Sequence, residues 1–100
     1  MTKRRVVVTG LGIVSPVGND LTSSWNNIIN GVSGIDLITH FDTTNFATKF
    51  AGEVKNFSTD GFFDAKEARR TDRFIQMGVV AGVQAVRDAG LEDLANLDKE

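Results

Sequence analysis

Apolar residues along this 100-residue chain fall into three patterned blocks, separated by a longer stretch in which aromatic residues stand among polar ones without a sustained period. The first block is the run Val6-Val7-Val8. Consecutive β-branched residues suit a pleated ladder and a continuous apolar run suits burial on both faces, so residues 5–9 are predicted to form a strand with neighbours. A loop follows that carries Gly10, Gly12, Ser15, Pro16 and Gly18. Asn19 or Asp20 then caps a helix whose apolar positions Leu21, Trp25, Ile28 and Ile29 recur at i, i+4, i+7 and i+8. Gly31 stands where such a helix ends.

From residue 34 to residue 63 the pattern weakens. Phe41, Phe46, Phe50, Phe57, Phe62 and Phe63 are spread among Thr, Asn, Asp and Gly, which reads as a long excursion containing one short strand. Alternation of Phe50, Gly52 and Val54 with Lys49, Ala51 and Glu53 places that strand at 49–54, while Gly34-Ile35-Asp36 reads as a turn. Asp64 followed by Glu67 has capping-box spacing and opens a second helical region. Helix then continues or resumes from about Asp72 to Ala89, and Gly90 stops it. Inside it Gly78, Ala81, Gly82 and Ala85 form a small-residue patch. Two interior glycines cost roughly 1 kcal/mol each relative to Ala, so close approach of another element is expected there. Leu91 onward is polar and acidic and reads as a surface connection. One buried strand, a second short strand and about three helices supply too little sheet to cover both faces of Val6-Val7-Val8, so a larger sheet protein is expected to complete it.

Composition narrows the function classes. With 41% hydrophobic and 24% charged residues, the chain is an ordinary globular segment of one domain or less. A net charge of −2 lacks the basic footprint of a dedicated nucleic-acid binder. The chain has no Cys, which excludes a disulfide framework, a thiolate metal site and a Cys nucleophile within these residues. Lys3, Arg4 and Arg5 before the valines imitate a secretory signal, but Gly10, Gly12 and Pro16 interrupt the apolar region and no small-residue cleavage site follows. No stretch approaches the roughly 18 apolar residues of a membrane span, and a cytoplasmic protein is the default expectation.

Candidate chemistry is sparse. Gly10-Leu11-Gly12-Ile13-Val14-Ser15 after a strand invites a dinucleotide-binding reading, yet Pro16 and Gly18 stand where that motif requires helix, and no second strand ends in an acid about 20 residues on. His40, the single histidine, has no Ser, Cys or metal-ligand partner at meaningful spacing and reads as structural. Lys66, Arg69, Arg70 and Arg73 share one face if helix runs through Thr71. With Asp64, Glu67 and Asp72 close by, that stripe on its own reads as a solvated helix face. No cofactor or metal is called for by these residues.

Three longer stretches carry more information: residues 6–19 (Val-Val-Val-Thr-Gly-Leu-Gly-Ile-Val-Ser-Pro-Val-Gly-Asn) with Trp25 and Gly31-Val32-Ser33-Gly34-Ile35; His40-Phe41-Asp42 with residues 47–52; and Asp72-Arg73-Phe74-Ile75-Gln76 through Ala85. Together they resemble the N-terminal portion of the β-ketoacyl synthases, the condensing enzymes of fatty-acid and polyketide synthesis, and the later stretches resemble the type II branch. The resemblance runs from about residue 3 to Leu91. It implies an α/β thiolase-like fold, layered αβαβα in the whole enzyme, of which residues 1–100 supply the start of the N-terminal half and no complete domain. It also implies a cytoplasmic homodimer that elongates an acyl chain by decarboxylative condensation with malonyl-acyl-carrier protein. Such enzymes use a Cys nucleophile and two His, none of which is placed here, since His40 matches neither His motif. Similar synthases receive the acidic helix of acyl carrier protein on a basic patch, and Lys66, Arg69 and Arg70 match its positions. Arg73 does not match a consistently basic position. Three readings stand at this point: the synthase, a catalytically silent relative such as a chain-length factor, and a nucleotide-binding oxidoreductase.

Overall fold

A computed structural model describes residues 3–92. In chain order the elements are α1 (Leu21–Ile29), β1 (Ile35–Leu37), β2 (Phe50–Gly52), α2 (Ala65–Arg70) and α3 (Arg73–Asp88).

Local chemistry explains the helix limits. The Asp20 side chain accepts the Ser23 amide at 2.8 Å and starts α1, and the Asp64 side chain accepts the Glu67 amide at 2.7 Å and starts α2. Both satisfy an amide that has no partner inside its helix. At the other ends, α1 and α3 finish in the same way. Gly31 (φ 70°) and Gly90 (φ 73°) adopt the left-handed conformation. The amides of Val32 and Leu91 then return to the carbonyls of Asn27 and Val86, each within 3.0 Å, which is the Schellman arrangement. The two helix stops expected at these glycines are both observed.

Helix does not run through Thr71, whose extended backbone (φ −112°, ψ 130°) separates α2 from α3. The stripe drawn over Lys66, Arg69, Arg70 and Arg73 is therefore divided. Arg73 belongs to α3, and its guanidinium lies 5.4 Å from the centre of the Phe57 ring.

The sheet differs from expectation in two places. Residues 35–37, read as part of a turn, form β1, antiparallel to β2 with Ile35 opposite Gly52, Asp36 opposite Ala51 and Leu37 opposite Phe50. Three residues are too few to show alternation, and only the partner strand makes them a strand. The second strand occupies 50–52, inside the expected 49–54. Residues 5–9 form no strand. A strand exists through its ladder, and among the described residues none pairs with this segment, leaving Val6, Val7 and Val8 at 93%, 69% and 79% exposure.

What fixes the N-terminal segment is α3. The Leu11 amide donates to Asp88 Oδ2 at 2.9 Å and the Ile13 amide to Gln84 Oε1 at 3.1 Å. A Cβ on Gly12 would fall 2.0 Å from the Ala81 carbonyl oxygen, and one on Gly10 would fall 2.4 Å from that of Ala85. The expected close approach to the small-residue patch is thus real for Ala81 and Ala85. Gly78 and Gly82 face a different way, with nothing within 4 Å of a Cβ built on either.

The turn between this segment and α1 closes on itself through reciprocal backbone bonds between Ser15 and Gly18. It is seated by the Ser15 and Ser24 hydroxyls, 3.3 Å apart. Lys55 joins three further pieces of chain, its ammonium donating to the carbonyls of Pro16, Gly34 and Glu53 at 3.3, 3.1 and 3.1 Å.

Little of this is a core. Among the described residues only Val80 and Ser24 are fully buried. Trp25, Ile28, Ile29 and Phe74 on the helices are more than half exposed. The radius of gyration is 17.7 Å, against about 13 Å for a compact domain of this length. The acidic residues 93–100, expected to form a surface connection, lie outside the described residues.

Substituting Gly12 tests the seating of the N-terminal segment. In the full-length protein Gly12→Ala is expected to cost about 1–3 kcal/mol, because backbone rather than a mobile side chain must yield. Urea denaturation measures it, and an unchanged midpoint would show that residues 10–12 do not lie against α3.

Candidate functional site

The three residues singled out for recognition, Lys66, Arg69 and Arg70, all lie on α2 and are all exposed. Lys66 and Arg70 are four apart and Arg69 is three from Lys66, so one side of this short helix presents them together. Glu67 occupies the first turn and Arg69 and Arg70 the last, which complements the helix dipole at both ends. Of the ion pairs among the described residues, His40–Glu53 and Arg87–Glu92, neither involves α2. The arrangement presents three cations to solvent and suits contact with an acidic surface.

The chain flanking α2 is held by aromatic and amide contacts. Before it, Phe57 lies under Arg73 and Phe62 lies 4.9 Å from the Arg87 guanidinium carbon. After it, Gln76 of α3 donates its side-chain amide to two carbonyls, Ala68 at 2.7 Å and Thr71 at 3.1 Å. The Thr71 hydroxyl donates to the Glu67 carbonyl at 2.7 Å. Neither Gln76 nor Lys55 carries a signal in the sequence, because their partners are backbone carbonyls whose positions only the fold defines.

The glycine motif is occupied by packing. Gly10 and Gly12 press against the α3 backbone, and helix begins only at Leu21, so the loop offers no helix N-terminus where a dinucleotide motif places its pyrophosphate. Among the described residues no group of three or more His, Cys, Asp or Glu could hold a metal ion, and no helix is long and apolar enough to cross a membrane.

His40, given no role from sequence, lies 3.4 Å from Glu53 through Nε2. The Glu53 carboxylate also accepts the Thr39 hydroxyl at 2.9 Å and the amides of Thr39 and His40. Desolvation is the largest single effect on this carboxyl and pushes its pKa up. The Thr39 bonds, the His40 amide and the His40 charge together outweigh it and leave the group below its ordinary value of 4.5.

Comparison with known proteins decides the family. The model for "Beta-ketoacyl synthase, N-terminal domain" matches residues 3–99. The chain belongs to the β-ketoacyl synthase family. Its similar relatives include the 3-oxoacyl-[acyl-carrier-protein] synthase 2 of Vibrio cholerae serotype O1, 58% identical over 92 residues that make up 92% of this chain and 22% of the relative. The protein of the same name from Vibrio harveyi is 56% identical over the same shares. That of Staphylococcus aureus strain COL is 51% identical over 89 residues, 89% of this chain and 22% of the relative. The chain thus spans about one fifth of the length of these synthases. The resemblance drawn from the three stretches of sequence is the family the comparison finds.

The Glu53 cluster gives the synthase segment a pH dependence whose sign is fixed. Because the carboxyl is held below its ordinary value, its contribution to stability is present above about pH 4.5 and is lost as pH falls through the lower value of the folded state. In the full-length protein Glu53→Gln is expected to lessen the fall in melting temperature between pH 5.5 and the acid limit of folding, as measured by differential scanning calorimetry on both forms. Parallel profiles for the two forms would remove Glu53 from the acid response.

Proposed function

We propose that the full-length protein is a 3-oxoacyl-[acyl-carrier-protein] synthase that extends fatty acyl chains by decarboxylative condensation, and that Lys66, Arg69 and Arg70 form its docking face for acyl carrier protein. The observation that carries the enzymatic reading is the family match over residues 3–99, joined by relatives at 51–58% identity that share one printed name. It favours a condensing enzyme over a nucleotide-binding protein, and the packing of Gly10 and Gly12 against α3 agrees.

In the proposed reaction the thiolate of an enzyme Cys attacks the acyl-carrier thioester; a new C–S bond forms and the carrier thiol leaves. Malonyl-carrier then loses CO2, and the electron pair left on its α-carbon attacks the acyl-enzyme carbonyl. The Cys thiolate departs and the 3-oxoacyl group remains on the carrier. The Cys and the two His that stabilise charge in these steps are assigned outside residues 1–100, a stretch without Cys. We assign the whole protein the layered thiolase-like fold, a cytoplasmic location and a homodimeric state. Residues 1–100 would supply the start of its N-terminal half and no complete domain. The exposed run Val6-Val7-Val8 and the apolar side of α1 supply the surface that the rest of such a fold would cover.

The docking face rests on charge and exposure. A net charge of −2 for the chain as a whole makes the local excess on α2 a directional feature. Charges at the rim of an interface chiefly set encounter rate and its salt dependence. In the full-length enzyme, Arg69→Glu combined with Arg70→Glu is expected to lower kcat/KM for carrier-bound acyl groups by at least about tenfold, and far less for small pantetheine thioesters. The difference narrows as salt is raised. Equal losses on both substrate types would refute docking at α2.

A further inference from the structure

We propose that Gln76 is a positioning residue for the α2 face: its side-chain amide, held on α3, locks the last turn of α2 and so fixes the direction in which Arg69 and Arg70 point. This inference rests on the reading of α2 as the carrier-docking face.

The starting point is that α2 has little to hold it. It is six residues long and none of its residues is buried, whereas isolated helices shorter than about 12 residues are marginal in water. Packing therefore does not maintain it, and its ends must. Asp64 holds the first turn by accepting the Glu67 amide. In the last turn the Ala68 carbonyl receives the Thr71 backbone amide only at 3.4 Å, a long bond that leaves it open to a second donor, and side chains supply the other donors to this turn. The Thr71 hydroxyl takes the Glu67 carbonyl. The two donors of the Gln76 amide group take the carbonyls of Ala68 and Thr71, at 2.7 and 3.1 Å.

Gln76 differs from Thr71 in where it is anchored. It lies within α3, a 16-residue helix that contains the buried Val80 and packs against residues 10–13. The bond to Ala68 thus ties a helix that cannot hold itself to the best-supported element of the chain. Arg69 and Arg70 occupy the turn beside the bonded carbonyls. Release of that turn leaves three cations present and exposed but no longer arrayed on one side. Ordering them would then have to be done at the moment of binding, at a cost in affinity.

The chemistry at position 76 is that of a donor toward carbonyl oxygen. Gln76→Met keeps length and removes both donors, while Gln76→Lys is one bond longer and supplies an ammonium that donates. With the full-length enzyme, KM and kcat are measured on a carrier-bound acyl thioester and on the matching acyl-pantetheine, for these two variants and for Arg69→Glu with Arg70→Glu. Gln76→Met is expected to raise KM for the carrier-bound substrate about fivefold more than KM for acyl-pantetheine, with the change in KM rather than kcat. Gln76→Lys is expected to recover most of that difference. Because every cation remains, the salt dependence of the carrier KM in Gln76→Met keeps its slope, while the double Arg variant flattens it.

Failure of the two readings can be told apart. If the double Arg variant affects both substrates alike, docking at α2 is wrong and the role of Gln76 falls with it. If the double Arg variant is selective but Gln76→Met is not, or Gln76→Lys matches Gln76→Met, docking stands and the positioning role is overturned. Should Gln76→Met not fold, Gln76→Glu keeps the side-chain shape and replaces the donors with oxygens that accept; it is expected to shift the carrier KM selectively in the same direction, and no selective shift there overturns the proposal.

Discussion

The contact of residues 10–13 with α3 joins segments of the chain more than 70 residues apart. It works because two glycines meet two alanines: with no Cβ at Gly10 or Gly12, the extended backbone reaches the carbonyls of Ala85 and Ala81 closely enough that even one methyl would collide. Gln84 reinforces the seam from both sides, accepting the Ile13 amide and donating to the Asn19 carbonyl at 2.6 Å. Through Asn19 the seam passes to Lys55, whose carbonyl accepts the Asn19 amide group at 2.8 Å. Lys55 in turn gathers the turn at Pro16 and the approach to β1. From this close approach a run of hydrogen bonds leads through Asn19 and Lys55 to the turn before α1 and the approach to β1.

That order is polar to an unusual degree for a globular segment. Hydrogen bonds to carbonyls and a carboxylate hold the pieces together, while Trp25, Ile28, Ile29 and Phe74 stay largely exposed. Polar bonds specify geometry well but contribute only about 1 kcal/mol each after the loss of water is counted, whereas burial of apolar surface is the main driving force of folding. These residues therefore have their shape defined locally, with much of their apolar surface exposed. For a ketoacyl synthase this divides labour sensibly. On the proposed reading, the exposed cations of α2 are a docking surface that needs orientation more than depth, and the apolar sides of α1 and the N-terminal segment would be buried by the rest of the enzyme.

Much of this was legible in the residues themselves. Asp20, Gly31, Asp64 and Gly90 mark helix ends through bonds made within a few residues, so their meaning is contained in the local sequence; the structure chooses Asp20 over Asn19 as the first cap, and Asp64 caps α2 through the Glu67 amide. The family was legible too, because residues 6–19 and the stretch after Asp72 are long and specific. The three cations of α2 were visible as a pattern. Their separation from Arg73 was not, since Thr71 is compatible with helix and it takes an extended conformation among partners from two helices.

What the sequence by itself determined is therefore whatever depends on neighbours in the chain: helix starts and stops, the amphipathic spacing of α1, the charge on α2 and membership of the β-ketoacyl synthases. Tertiary structure alone decided that residues 35–37 are a strand and that residues 5–9 are not one here, because a ladder is a property of two segments. It alone decided that Ala81 and Ala85 receive the glycine loop while Gly78 and Gly82 face away, since a stripe of small residues does not say which of its members is approached. It also gave Gln76 and Lys55 their importance. A side chain that bonds backbone carbonyls leaves no complementary residue to find, and the partner exists only once the chain has folded.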